Sequence, residues 1–368
     1  MKSRKILLAI GTRPEAIKLA PIIEKLNVAN GLESVVVSTS QQGKMLELTL
    51  KSLDLQPSVY LQHDLRDGRS LSDSFSQILE SATNTLQNVK PSLVCIQGDT
   101  TSATAFALAA HLLEIPVAHI EAGLRTDDLK APFPEEGYRR IIDAISDLTF
   151  TPTRNAQKRL LKEGHKHSVM TGNTVIDSLN RALQRQADLT FLPDYFDITK
   201  KFILVTQHRR ETSVDEFRSV LNALSELAEN YQVILLLHHS KNFQQALSET
   251  PAHPQIYRID TICYPRFISL LNFADLVITD SGGLQEEITA LKINGIVTRK
   301  QTERKEALGK RVKLFSGSSN DLVKVASKFL QQRKRVPVTK ISNFTFGRGD
   351  ASSIIVREIS NFLNYSIE

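Results

Sequence analysis

Tryptophan is absent from the sequence, and cysteine occurs only twice. Cys95 and Cys263 lie far apart, without the spacing of a zinc site or the density of a disulfide framework, so we expect buried thiols in a reducing compartment. No stretch approaches the ~20 consecutive apolar residues that a membrane helix needs. The apolar run at residues 6–10 follows a basic start, but the segment from Gly11 to Glu15 interrupts it too early for a signal peptide. We therefore expect a cytoplasmic protein that does not bind membranes.

A strong imbalance of charge is also missing. The 46 lysines and arginines and 40 acidic residues give a net charge of +6. This charge is compatible with an acidic ligand, but the basic residues are scattered and form no tract, which argues against nucleic-acid binding. The chain has 368 residues, which suggests two domains, each large enough to bury its own core.

Short apolar segments alternate with helix-period segments along the chain. The predicted strands are KILLAI, SVVVST, SLVCIQ, PVAHI and DLTFT in the first half, and FILVT, VILLLH, QIYRI, DLVIT and GIVT in the second. This alternation predicts parallel sheets covered by helices on both faces, so the fold class is α/β. A TIM barrel is the competing architecture. We favour two doubly wound domains, because TGNTVIDSLNRALQRQADLTFLPDYFDITK is typical of a crossing helix followed by an irregular connector.

Polar and charged residues follow the predicted strands directly. The segments GTRPEAIK, GDTTSATA, EAGLRT, QHRRE, HSKN and DSGGLQEE each come after one of these strands. Ligands of open parallel sheets bind beyond the carboxyl ends of the strands. These segments are therefore where a site is expected.

The first segment, GTRPEAIK, joins a strand to a helix. Gly11 permits a tight turn, and Pro14 suits the first helical turn because its missing N–H needs no partner there. Arg13 and Lys18 near the helix N-terminus suggest an anion site, although a capped helix with solvated charges fits this stretch equally well when it is taken alone. Pro21 is expected to kink or split the helix.

The segment DSGGLQEE is a second candidate for phosphate binding. Ser281, Gly282 and Gly283 can offer backbone N–H groups to a diphosphate, and Glu287 can accept hydrogen bonds from ribose hydroxyls. The alternative is a glycine-containing turn with a serine cap and solvated glutamates.

Three carboxylates lie near these strand ends. Asp99 and Glu121 each follow a strand, and Asp99 could alternatively cap the next helix. Glu135 precedes Arg139 by four residues on one helical face, a spacing that by itself indicates a surface salt bridge worth less than ~0.5 kcal/mol. Two or more acids in one site would suit proton transfer.

Two histidines follow strands in the second half. A histidine at such a position is more often structural than functional, so His208 and His238 are weak candidates when considered singly. No grouping of histidine and acidic residues has the spacing of metal ligands, and we expect no metal site.

The motifs taken together resemble those of the non-hydrolysing UDP-N-acetylglucosamine 2-epimerases. GTRPEAIKLAP, QGDTTSATAFALAA, HIEAGLRT, PFPEEGYRRIID, TGNTVIDS, HRRE, DSGGLQEE and TERKEA occur in the family's order, and NFTFGRGDAS resembles its last motif. The resemblance covers essentially the whole chain. It implies two Rossmann-like domains in the glycosyltransferase-B architecture, with UDP in the cleft between them. The expected domains are residues 1–172 and 173–349, with the last helix, residues 350–368, returning to the first domain.

The resemblance also implies roles for individual residues. Asp99, Glu121 and Glu135 match the family's essential acids, and His208 is expected at the UDP and among the catalytic residues. The other expected substrate- and UDP-binding residues are Arg13, Lys18, Arg139, His238, Phe267, Ser281, Gly282, Gly283, Glu287 and Arg304. The family is usually dimeric, so a homodimer is expected.

The expected reaction interconverts UDP-N-acetylglucosamine and UDP-N-acetylmannosamine. The C2 hydrogen of such a sugar is not acidic, so an enzyme must either oxidise the sugar transiently or eliminate UDP. Oxidation requires a nicotinamide, but the nearest match to its glycine fingerprint, Gly347 to Gly349, lacks a third glycine and a preceding strand. We therefore expect no cofactor, and elimination to a 2-acetamidoglucal followed by re-addition of UDP. The alternatives are a related UDP-2-acetamido sugar, a hydrolysing epimerase, or a glycosyltransferase of the same architecture.

Several segments depart from the family pattern. The family's Gln-His-Arg becomes Gln41-Gln42-Gly43, and the segment around Arg69 also differs. In bacterial members these regions help to form an allosteric site for the substrate, so we do not expect that regulation here. Lys300 replaces an acid, and Ser240 replaces an asparagine, both on the nucleotide-binding side.

Overall fold

The computed structural model describes residues 3–39, 43–61, 70–207, 212–238, 240–332, 334–341 and 343–365. The chain forms two compact units, one of residues 1–179 with 346–368 and the other of residues 180–345. The predicted domain limits, residues 172 and 349, differ from these by a few residues and stay a prediction. In the described part of the chain, no helix is both long and apolar enough to cross a membrane.

The first unit is a parallel sheet flanked by helices. Its strands are β1 (Arg4–Ile10), β2 (Leu32–Ser38), β3 (Val59–Tyr60), β4 (Leu93–Gln97), β5 (Val117–Ile120), β6 (Leu148–Thr151) and β7 (Ser168–Met170), in the order β3-β2-β1-β4-β5-β6-β7. Its helices are α1 (Arg13–Val28), α2 (Lys44–Ser52), α3 (Leu71–Val89), α4 (Thr101–Leu112), α5 (Glu135–Ala144) and α6 (Arg154–Lys162). Helix α7 (Thr174–Arg185) leads from this unit into the second.

The second unit repeats the same design. Its strands are β8 (Phe202–Thr206), β9 (Gln232–Leu236), β10 (Ile256–Ile259), β11 (Leu276–Thr279), β12 (Asn294–Val297) and β13 (Val312–Leu314), in the order β10-β9-β8-β11-β12-β13. The helices are α8 (Val214–Ala228), α9 (Lys241–Glu249), α10 (Tyr264–Phe273), α11 (Leu284–Ala290) and α12 (Ser319–Leu330). The final helix, α13 (Ala351–Tyr365), belongs to the first unit.

The buried strands have the composition that this architecture requires. Residues 6–10 of β1 are at most 1% exposed, and every residue of β4 and β5 is buried. Helices on both faces of a parallel sheet remove both sides of each central strand from water, which favours continuous apolar runs. The ten predicted strands are all present, and the α/β prediction is confirmed. Two separate sheets replace the alternative TIM barrel.

Helix α1 remains continuous through Pro21, so of the two expected outcomes, a kink or a split, the split does not occur. A proline inside a helix leaves the carbonyl four residues earlier without its usual donor. Here that carbonyl belongs to Ile17, and the Ser178 hydroxyl donates to it at 2.5 Å. A side chain of α7 thus replaces the missing backbone hydrogen bond.

The C-terminal segment closes against the first unit at two glycines. A Cβ on Gly172, which has φ +84°, would lie 2.6 Å from the Cα of Gly347. Asn173 N also donates to the Phe346 carbonyl at 2.7 Å. Helix α13 then packs against α1. Within this unit, the last helix therefore lies against the first helix of the chain.

The cysteines are only partly as expected. Cys95 in β4 is buried, and burial raises its thiol pKa to about 12. Cys263 is half-buried just before α10, so the prediction that it is buried is wrong.

Candidate functional site

The carboxyl ends of β4 and β5 bring two predicted acids to the same edge of the first sheet. The two strands pair in parallel, with Gln97 opposite Ile120. Asp99 and Glu121 follow these paired residues almost immediately. The topology therefore places both acids where open parallel sheets bind ligands.

Glu121 is buried and held by three donors. Lys18 forms an ion pair with its Oε2, and the same oxygen accepts from Gln97 Nε2 at 3.1 Å and from Asn173 Nδ2 at 2.8 Å. Glu121 has a φ of +69°, which is uncommon for a residue with a side chain and directs the chain sharply out of β5. A buried ammonium favours the ionised carboxylate. Lys18 is therefore not a solvated charge, and Gln97 and Asn173 were missed from sequence.

Asp99 is attached to helix α5 by Arg139. Arg139 Nε donates to Asp99 Oδ2 at 2.5 Å, while the Asp99 side chain keeps 29% of its surface exposed. The N-cap of α4 is Thr100, whose hydroxyl accepts from Ala103 N. The capping role considered for Asp99 therefore belongs to its neighbour.

Glu135 is the first residue of α5 and is half-buried. The adjacent Glu136 is fully buried, and its carboxylate accepts from Arg139 Nη1 at 2.6 Å and from Thr126 N at 2.9 Å. Arg139 is only 2% exposed, so its guanidinium belongs to a buried network and not to the surface salt bridge that the spacing to Glu135 indicates when it is taken alone. Glu136 was missed because the sequence does not show which of the two adjacent glutamates, Glu135 or Glu136, is buried.

Glu15 organises the first predicted anion segment. Its carboxylate accepts from Gly11 N at 2.9 Å, Thr12 N at 2.6 Å and the Thr100 hydroxyl at 2.6 Å. Burial raises the pKa of Glu15, although these hydrogen bonds act to lower it. Arg13 begins α1 and is half-buried. Glu15 therefore fixes the turn that presents Arg13.

In the second unit, Gly282 lies against a buried group of charged side chains. A Cβ at this position would lie 2.6 Å from Glu303 Oε1 and 2.9 Å from Arg304 Nη1. Arg304 Nε donates to Glu286 Oε1 at 3.0 Å, and Glu286 is fully buried. A side chain at position 282 would thus have to displace the ends of the Glu303 and Arg304 side chains. Glu286, which orients Arg304, was missed from sequence.

The remaining predicted residues of DSGGLQEE and α10 also lie together. Ser281 directly precedes Gly282, and its hydroxyl accepts from Leu284 N at 3.4 Å, while Gly283 precedes α11. The Tyr264 hydroxyl donates to Glu287 Oε1 at 2.7 Å. Phe267 lies one turn after Tyr264 in α10 and is buried.

Of the two predicted histidines, His238 lies within the described residues. His238 follows β9, and its Nδ1 accepts from Ser240 N at 3.2 Å, so its side chain makes a local turn contact. His208 lies outside the described residues, as do Gln41, Gln42 and Arg69. Within the ranges that the structure describes, no group of three or more histidine, cysteine or acidic residues is placed to hold a metal ion.

The two parallel sheets and their order define a protein of the glycosyltransferase-B fold class, as predicted. The sequence model of the UDP-N-acetylglucosamine 2-epimerase family matches residues 24–360, and the chain belongs to this family. The resemblance proposed from the motifs is thus confirmed.

Individual relatives agree with this assignment. The chain is 35% identical to the UDP-N-acetylglucosamine 2-epimerase of Yersinia pestis, over 97% of this chain and 98% of the relative. It is similar to a crystal structure of UDP-GlcNAc 2-epimerase from Neisseria meningitidis bound to UDP-GlcNAc, with a TM-score of 0.88, 32% identity and coverage of 97% and 100%. A second similar structure is the Methanocaldococcus jannaschii enzyme in complex with UDP-GlcNAc and UDP, with a TM-score of 0.84, 29% identity and coverage of 97% and 99%.

Proposed function

We propose that this protein is a non-hydrolysing epimerase that interconverts UDP-N-acetylglucosamine and UDP-N-acetylmannosamine. The observation that supports this most directly is the environment of Glu121, a buried carboxylate that forms an ion pair with Lys18. Glu121 follows β5, and Asp99 follows the neighbouring strand β4. Such a carboxylate is suited to taking and returning a proton in a site that excludes water. Membership of the epimerase family supports the choice of reaction.

In the first half of the proposed reaction, one carboxylate removes the C2 proton. The electron pair of the C2–H bond forms the C1–C2 double bond, and the C1–O bond breaks with its electrons leaving on UDP. The products held by the enzyme are 2-acetamidoglucal and UDP. In the second half, an acid delivers a proton to the opposite face of C2, and a UDP oxygen adds to C1. Acids on both faces of the sugar are needed, and Asp99, Glu121 and Glu135 supply them.

We assign UDP binding to the residues that the family motifs indicate. Arg13 and Lys18 are two of them, and Lys18 has a second role through its ion pair with Glu121. In the second unit, Arg304 and the backbone of Gly282 suit a diphosphate, because guanidinium and amide donors match phosphate oxygens. The buried Glu287 suits the ribose hydroxyls, with Phe267 beside the uracil and Ser281, Gly283, His208 and His238 completing the set.

The same proposal includes the assembly and location of the protein. Resemblance to the family supports a homodimer and a cytoplasmic enzyme. It also supports residues 1–172 with the last helix as the acid-bearing domain and residues 173–349 as the UDP-binding domain.

The test is incubation with UDP-N-acetylglucosamine in deuterated water, followed by NMR. We expect UDP-N-acetylmannosamine to form with deuterium at C2. Free N-acetylmannosamine with UDP would instead identify a hydrolysing enzyme, and a substrate that gains neither deuterium nor a new isomer would refute the proposal.

Matched variants locate the chemistry. Glu121→Gln and Asp99→Asn should abolish formation of the C2-deuterated manno isomer, because an amide can neither accept nor deliver the C2 proton. Glu114→Gln is the control, because Glu114 is exposed and precedes β5, at the end of the strand opposite to Glu121. An acid variant that matched this control would remove that acid from the mechanism.

A further inference from the structure

His119 is a fully buried histidine in β5, two residues before Glu121. Its Nδ1 lies 2.7 Å from Asp143 Oδ1, and its Nε2 lies 2.8 Å from the carbonyl oxygen of Gly98. Both ring nitrogens therefore have a partner within hydrogen-bond distance. Nothing in the proposed chemistry uses this ring directly.

Both partners of the ring are hydrogen-bond acceptors. A carbonyl oxygen and an ionised carboxylate accept hydrogen bonds, so a ring N–H can donate on either side. Asp143 is itself buried, and burial acts to raise its pKa, but the charges and hydrogen bonds of His119 and Arg125 outweigh burial and lower it. Arg125 Nη1 lies 2.6 Å from Asp143 Oδ2. The ring therefore lies between a carboxylate and a carbonyl oxygen.

These contacts join the three segments that contain the acids. Gly98 has a φ of +72° and directly precedes Asp99, so its carbonyl sets the direction of the loop after β4. His119 lies in the strand that ends at Glu121. Asp143 is in α5, the helix that begins at Glu135. One buried ring therefore connects the segments of all three proposed proton-transfer residues.

We propose that His119 is a positioning residue, whose ring between the Gly98 carbonyl and Asp143 holds the segments of Asp99, Glu121 and Glu135 in the geometry that proton transfer requires. This inference rests on the proposed epimerase function. A displacement of about 1 Å in a reacting group costs on the order of a hundredfold in rate. Loss of the ring should therefore reduce turnover much more than nucleotide binding.

Two variants of His119 separate its two hydrogen bonds. The amide nitrogen of asparagine falls near the position of Nδ1 and can still donate to Asp143, whereas that of glutamine reaches the position of Nε2 and can still donate to Gly98. We expect His119→Asn to lower kcat about a hundredfold. We expect the kcat of His119→Gln to be about tenfold higher than that of His119→Asn, because glutamine restores the hydrogen bond to the Gly98 carbonyl.

The measurements are kcat and KM for C2 deuterium incorporation and the UDP dissociation constant by calorimetry. KM and UDP affinity should change less than threefold, on the order of the change expected of a non-contacting residue. His111→Asn is the control, because His111 is exposed at the end of α4. Equal activity of the two His119 variants, an unchanged kcat, or a parallel loss of kcat and UDP affinity would overturn the proposal.

The wild-type protein separates this inference from the proposed function. An inactive wild type would refute the epimerase proposal, whereas an active wild type with active His119 variants would refute only the positioning role. If both His119 variants fail to fold, Asp143→Ala is the test, since it removes the partner of Nδ1. A folded Asp143→Ala protein with wild-type kcat would also overturn the positioning role.

Discussion

Arg139 Nε donates to Asp99 Oδ2 at 2.5 Å, although helix α4 and strand β5 separate the two residues in the chain. The same guanidinium donates to Glu136 at 2.6 Å and is 2% exposed. A planar guanidinium can hold two carboxylates at fixed angles, which an ammonium cannot. Asp99 thus takes its position from α5 as well as from its own loop.

This relationship predicts that Arg139→Lys damages the enzyme although the charge is kept. Lysine cannot make both hydrogen bonds, and leaving a buried acceptor unsatisfied costs about 1–3 kcal/mol. We expect that loss in the free energy of unfolding, together with a lower kcat. Arg140→Lys is the matched control, because Arg140 binds the same Glu136 from an exposed side chain. Denaturant unfolding and turnover measure both effects, and equal behaviour of the two variants would contradict the prediction.

The ion pair between Lys18 and Glu121 predicts a strong effect of Lys18→Gln. Removing one partner of a buried pair costs about 3–5 kcal/mol, because the other charge stays buried. Glu121 would then be protonated more readily, so kcat should fall as well. Lys25→Gln, at an exposed position of the same helix, should leave both quantities unchanged. Thermal unfolding and deuterium incorporation provide the comparison, and a fully active Lys18→Gln enzyme would argue against Glu121 as a base.

The hydrogen bond from Tyr264 to Glu287 predicts a defect in nucleotide binding. Without this donor, Glu287 is less well oriented for the ribose, and a loss of about 1.4 kcal/mol corresponds to tenfold weaker binding. We therefore expect Tyr264→Phe to raise the UDP dissociation constant about tenfold in calorimetry. Tyr257→Phe removes a hydroxyl that donates to Gln255 at 3.3 Å in the same unit and serves as the control. Unchanged UDP affinity in Tyr264→Phe would contradict the assignment of Glu287 to the ribose hydroxyls.

The raised pKa of Glu15 predicts the pH dependence of stability. A carboxyl whose folded pKa exceeds its unfolded value of about 4.3 binds more protons when folded. Its contribution to stability is therefore complete below that unfolded value and is lost as the pH rises through the folded pKa. Glu15→Gln removes this titration, so its Tm relative to wild type should increase between about pH 4 and about pH 7.

Exposed Glu114→Gln is the control for that experiment. Its Tm difference from wild type should stay nearly constant over the same range. A Glu15→Gln difference that is flat, or that decreases with pH, would show that the folded pKa of Glu15 is not raised.

Most of the fold could be predicted because burial acts on whole strands. Central strands such as β1 and β4 are apolar along their length, and this pattern is visible in sequence. The missed strands β3, β7 and β13 are two or three residues long and lie partly exposed. These strands form by pairing with a neighbouring strand of the sheet, and the local sequence contains no pattern that predicts this pairing. The continuity of α1 through Pro21 likewise depends on Ser178, a residue far along the chain.

The site was predicted less completely, for a related reason. Asp99 and Glu121 could be found because they follow recognisable strands. Glu136 and Glu286 could not be found, because the sequence does not distinguish a buried glutamate from a solvated one. Their partners, Arg139 and Arg304, are visible only in the folded structure. His119 was read as part of a strand, and its role depends on a carbonyl and a carboxylate from two other elements.

The docking of α13 on α1 has a consequence for synthesis on the ribosome. Ile355, Ile359 and Leu363 of α13 are buried, and the Phe346 carbonyl receives its hydrogen bond from Asn173 N. Residues 180–345 must therefore be translated before the first unit can acquire its last helix. The nascent chain exposes the apolar surface of α1 throughout that interval, so the acid-bearing half, although made first, is completed last.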